Sequence, residues 1–99
     1  MNGSARRDTI IRLAIRNLAA EEVTVYLEPW GEELPMAPQG EYVLVGHGPE
    51  NGSGFSVDYH ERSIVVTGWT GSTVQVFSNG KEIGNVTWRP PVPDFDPPV

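Results

Sequence analysis

Apolar side chains recur at every second position in one short run after another, and this spacing limits the fold more than any other feature of the chain. An extended backbone sends successive side chains to opposite faces, so a period of two describes strands buried on one side. From Thr9 to Asn17, Ile11, Leu13 and Ile15 share one face, and Ile10, Arg12, Ala14 and Arg16 share the other. Val23, Val25 and Leu27 form the inward set of the run to Glu28. Phe55, Val57 and Tyr59 do the same opposite Ser56, Asp58 and His60. The runs Ser63 to Thr67 and Thr73 to Phe77 are rich in β-branched residues, which suit a pleated surface. Asn79-Gly80 follows, before a Glu82-Ile83 segment; both residues tolerate positive φ, so the pair predicts a tight hairpin. Most of the 11 glycines fall in the gaps between runs. The pattern predicts an all-β fold, an antiparallel β-sandwich of about seven short strands or one partly closed toward a barrel.

One segment fits a helix as well. In DTIIRLAIRNLAAEE, Asp8 could cap a helix that places Ile11, Ile15 and Leu18 on one face. Asn17 and the β-branched isoleucines favour strand, turn, strand instead. Further along, Tyr42 to Val45 reads as a strand, Leu34 to Tyr42 as the short connection leading into it, and Gly46 to Gly54 as a glycine-rich connector.

A chain of 99 residues makes one domain. Its expected layout is a flexible start over 1–8, a single β domain over 9–88 and a proline-rich flexible tail over 89–99. That tail, RPPVPDFDPPV, has too few backbone donors for a central strand, and Phe95 is its one residue suited to folding back on the body. The absence of cysteine removes disulfides, thiolate zinc sites and thiol nucleophiles together. A net charge of −6 argues against nucleic acid. No run approaches the roughly 20 apolar residues of a membrane span. Arg12 and Arg16 interrupt the apolar stretch a signal peptide would need, so the expected compartment is the cytoplasm, with the Asn-X-Ser/Thr matches at Asn2, Asn51 and Asn85 silent. From Glu21 to Arg62 there are nine acidic side chains and one Lys or Arg, which means either cross-strand pairing or a surface patch for cationic partners or metal ions.

The stretch VYLEPWGEELP concentrates the functional question. Pro29 cannot donate to a strand ladder, and Gly31 permits a sharp turn, so Trp30 sits at a corner between Glu28 and the pair Glu32-Glu33. Trp69 lies among Thr67, Thr70, Ser72 and Thr73. Such indoles are large core fillers or caps, exposed platforms beside carboxylates and hydroxyls, or protein-binding hot spots. Trp88, two residues after Val86, reads as packed. His47, Asp58, His60 and Glu61 would hold a metal only if two loops met. No nucleophile elbow, zinc-protease helix or phosphate loop occurs.

The chain resembles a group of small bacterial proteins with a strand ending in Arg-Asn, a Leu-Glu-Pro-Trp-Gly corner, a Pro/Gly turn, a Gly-Trp segment and a hydrophobic hairpin. Here these are Arg16-Asn17, Leu27 to Gly31, Pro38-Gln39-Gly40, Gly68-Trp69 and Val74 to Ile83. The resemblance covers roughly residues 9–84 and implies a compact β fold; it brings no catalytic or binding residue with it. The expected function is therefore a non-catalytic binding or interaction domain without cofactor, its contact surface formed by Glu28, Trp30, Glu32 and Trp69. Its partner would be an unknown protein or small ligand, or a second copy paired through open sheet edges. The alternatives are a carbohydrate-binding module stacking sugars on Trp30 and Trp69, and a small metal-dependent enzyme or metalloprotein.

Overall fold

The structure, a computed structural model, describes residues 8–50 and 54–87. Residues 1–7 of the expected flexible start, the Asn51 site, Trp88 and the proline-rich tail lie outside the described residues, while Asp8, expected in that start, pairs with Pro49 as the first residue of a strand. Eight strands follow in chain order among the described residues: β1 (Asp8–Arg16), β2 (Val23–Glu28), β3 (Glu32–Met36), β4 (Glu41–Pro49), β5 (Ser56–Tyr59), β6 (Ser63–Thr67), β7 (Thr73–Ser78) and β8 (Lys81–Thr87). They form two four-stranded sheets, ordered β1-β4-β7-β8 and β3-β2-β6-β5, and neither sheet closes into a barrel. The fold is the β-sandwich that the alternation predicts.

The inward sets of both sheets meet in one core. Ile15, Leu44, Val74 and Val76 come from the first sheet, and Val23, Val25, Leu27, Met36, Ile64 and Val66 from the second. Asp8–Arg16 is a strand, not a helix. Its odd-numbered positions face inward, and Ile10 on the other side is left 63% exposed. The Asn79-Gly80 hairpin forms with φ of 53° and 78°, joining Ser78 to Lys81.

Four expectations need correction. Leu34 to Met36, expected in the connection, belong instead to an edge strand, Glu32–Met36, hydrogen-bonded to β2 from Val23↔Met36 to Leu27↔Glu32. Pro35 tolerates that place because β3 has a neighbour on one side only. Gly46 to Pro49 belong to β4, not to a connector: Gly46 pairs with Ile11 and Val74 across the sheet. Tyr59 is not buried. It ends a four-residue edge strand and is 71% exposed. Finally, one pair is parallel, β2 with β6; the other five pairs are antiparallel.

Polar ties hold the two layers together. Asn17, 2% exposed just beyond β1, donates its side-chain amide to the carbonyls of Met36 and Glu21 and accepts from the Ala19 N–H. Tyr42 on β4 donates its hydroxyl to the Pro35 carbonyl on β3. Burial pushes the Tyr42 phenol above its ordinary value near 10, and the charge of Glu22 pushes the same way.

Candidate functional site

The Pro-Trp-Gly corner is the tip of the β2–β3 hairpin. Leu27 pairs with Glu32, and the Gly31 N–H, at φ 76°, closes the loop on the Leu27 carbonyl at 2.8 Å. Trp30 does not stand out into water. It is half-buried, packs against the core, and lays its ring over Gly68 at the end of β6. The Gly68 N–H donates to the Glu28 carbonyl at 2.9 Å, which pins the two chain segments together. A methyl group on Gly68 would stand 2.6 Å from Trp30 Cη2 and 2.9 Å from Ser72 Oγ, so glycine is what lets the indole close down. Glu28 is half-buried, while Glu32 and Glu33 are exposed on the hairpin.

Trp69 is placed differently from the expectation: it is 3% exposed and presents no face to a ligand. Its indole N–H donates to the Pro49 carbonyl at 2.7 Å, and its ring meets Phe55 edge-on, centroids 5.3 Å apart. Both rings press on Gly46, where an added Cβ would lie 2.7 Å from each. Ser72, fully buried, accepts the Trp69 backbone N–H on its hydroxyl. The Trp69 turn is a plug in the end of the sandwich because a fold this small needs its largest rings inside. Of the four residues expected to form the contact surface, Glu28, Trp30 and Glu32 remain together at one hairpin tip, and Trp69 is withdrawn beneath it.

The other candidates do not converge. His47 lies on β4 in one sheet, whereas Asp58 lies on β5 in the other, with His60 and Glu61 just after it. Among the described residues no group of three or more His, Cys, Asp or Glu is placed to hold a metal ion. The acidic excess is only lightly paired: Arg62 meets Glu21 at 2.9 Å and Arg16 meets Glu41 at 3.8 Å, all four side chains well exposed. Such pairs contribute little to stability. Among the described residues no helix is long and apolar enough to cross a membrane.

The outer face of the β1-β4-β7-β8 sheet holds a further candidate surface, formed by residues outside the four expected ones. The register sets Arg12, Val45, Gln75 and Asn85 in one row, and Ala14, Val43, Phe77 and Glu82 in the next. Arg12, Val43, Val45, Gln75, Phe77 and Gly80 line an open groove of about 410 Å³. The Glu82 carboxylate at its side accepts from the Gln75 and Asn85 amides, each at 3.2 Å. Arg12 is exposed and makes no ion pair among the described residues. The signal was present in the chain: EYVLV and TVQVF carry apolar residues on both faces, where a one-sided strand would alternate.

Compared with protein-family models, curated proteins and solved structures, the chain finds no match.

Proposed function

We propose that the protein is a non-catalytic binding domain whose main contact surface is the groove on the outer face of the β1-β4-β7-β8 sheet. The observation that carries this reading is the set Val43, Val45 and Phe77. Their neighbours Leu44, Val74 and Val76 already fill the core, so these three serve no packing between the sheets. An apolar strip bordered by polar side chains is the ordinary composition of a recognition surface. The opposite outer face, with Thr24, Tyr26, Glu28, Ser63, Val65 and Thr67 on its two central strands, is more polar. The absence of cysteine suits a reducing compartment such as the cytoplasm.

A second surface is the β2–β3 hairpin tip, where the half-buried Trp30 lies beside Glu28 and Glu32. With Trp69 inside, sugar stacking would have one indole rather than two, which weakens the carbohydrate reading.

The two surfaces separate by substitution. Val45→Asp charges the groove without touching the core, and Glu28→Gln with Glu32→Gln neutralises the tip. Partners captured by the wild-type chain should be lost with Val45→Asp and kept with the double Gln variant. Unchanged capture by a folded Val45→Asp protein would overturn the groove as the contact surface.

A further inference from the structure

We propose that the groove seats a second copy of this chain, the two molecules stacking their β1-β4-β7-β8 sheets face to face about a two-fold axis that runs along the strands. The inference rests on the groove being a contact surface, and it names the partner. What carries it is the placement of charge. Arg12 and Glu82 stand at opposite margins of one apolar strip, the first on β1 and the second on β8.

The register fixes the geometry. One row across the sheet reads Arg12, Val45, Gln75, Asn85, and the next reads Ala14, Val43, Phe77, Glu82. The Glu82 carboxylate accepts from the Gln75 and Asn85 amides at 3.2 Å each, so its charge leans into the row of Arg12. Arg12 itself has no carboxylate partner among the described residues. An axis along the strands, midway between β4 and β7, reverses the strand order in the second copy and keeps each row over itself. β1 then lies over β8, and β4 over β7. Arg12 of each copy faces the Glu82 carboxylate of the other, and Val43 of each lies on Phe77 of the other. Ile10, 63% exposed on the same face as Arg12, is covered by the second copy's Thr87 in the row before. The contact is an apolar centre between two crossed ion pairs. Stacked sheets cross at about 30°, which displaces strands only about 7 Å from the axis by a few ångströms, within the range of an arginine. The other axis open to stacked sheets, across the strands, lays β1 over β1 and keeps Arg12 three strand spacings, about 14 Å, from the second copy's Glu82. Charge selects the first.

Size and net charge make the dimer a reversible one. Four strands span about 19 Å, and the rows around Arg12 about 20 Å along them, so roughly 400 Å² of sheet is covered on each copy. That is the small, transient end of specific interfaces. A net charge of −6 on each copy opposes association. Glu28, Glu32, Glu33 and Asp58, however, lie in the other sheet or at its hairpin tip, a layer of about 10 Å further from the contact, where physiological salt screens them.

Sedimentation equilibrium of the full chain tests the proposal. With protein raised to about 1 mM, where even weak complexes half-form, the wild type should approach the dimer mass, and dilution should return the monomer. Arg12→Glu and Glu82→Arg each set like charges together at both ends of the contact and should leave a monomer. Both positions are exposed, and unchanged Trp69 fluorescence shows that the variants fold. Mixed in equal amounts, the two variants should associate again, because each supplies both charges that the other needs. A wild type that stays monomeric overturns the proposal, as does a dimer that survives both charge reversals or a mixture that fails to recover. Masses beyond the dimer overturn it too, since they mean open-ended pairing of sheet edges. Partner capture keeps the two readings apart. If the wild type is monomeric but Val45→Asp abolishes capture of another partner, the groove stands and self-pairing falls. If Val45→Asp changes neither capture nor mass, both fall.

Discussion

Gly46 and Trp69 define each other. The strand can run beneath the Phe55 and Trp69 rings only because position 46 has no side chain, and Gly46→Ala should overpack the site and cost about 1–3 kcal/mol. Trp69→Ala, which empties the same place and removes the hydrogen bond to Pro49, should cost about 3–5 kcal/mol. Urea unfolding of the two variants checks both values. Tyr42 gives a pH dependence. Its hydroxyl is held neutral in the fold beyond the pH at which the unfolded chain ionises, so the native state binds more protons above about pH 10. Stability is then fully present below about pH 10 and falls as pH rises from there toward the raised folded value. Tyr42→Phe should remove that loss, while costing about 1 kcal/mol at neutral pH through the missing bond to the Pro35 carbonyl. At this scale the sequence was legible in part. Trp69 in a turn among hydroxyl residues looks the same on paper whether it stands in water or plugs a core. What decides it is the approach of Phe55 and Pro49, 14 and 20 residues away in the chain.

Among elements, legibility followed the strength of the alternation. The clean runs of β1, β2, β6 and β7 were found with boundaries close to those observed, and the Asn79-Gly80 hairpin came from turn chemistry alone. β3 was missed because two glutamates and a proline describe a loop unless a neighbouring strand is known to lie on one side only. The second half of β4 was missed because its glycines mark close approach of rings and backbone, whereas in isolation they resemble a connector. Asn17 links several elements at once. Beyond its side-chain bonds to Met36 and Glu21, its backbone N–H donates to the Gly40 carbonyl and its carbonyl accepts from the Gln39 N–H. Asn17→Ala would leave a buried carbonyl on Met36 without its donor, a loss of about 1–3 kcal/mol. Amide exchange should accelerate first in β3, which has that contact and one neighbouring strand to hold it.

At the scale of the whole molecule, the division of labour between faces is uneven: the core-facing side of β4 and β7 is buried, and the opposite side is apolar without being covered by the other sheet. That surface could be read from EYVLV and TVQVF only after the register had set Val43 beside Phe77 and Val45 beside Gln75. The order of strands carries one more consequence. Residues before position 51 supply β1 and β4 to one sheet and β2 and β3 to the other; residues after 53 supply the remaining pair in each. The chain is thus two interlocking halves, zipped along β4–β7 in one layer and β2–β6 in the other. Severed between Glu50 and Gly54, neither piece would have a complete layer, yet each would offer the other two matching seams. Fragments 1–50 and 54–99, expressed together, should copurify and recover the native fluorescence of the buried Trp69, while either alone should not.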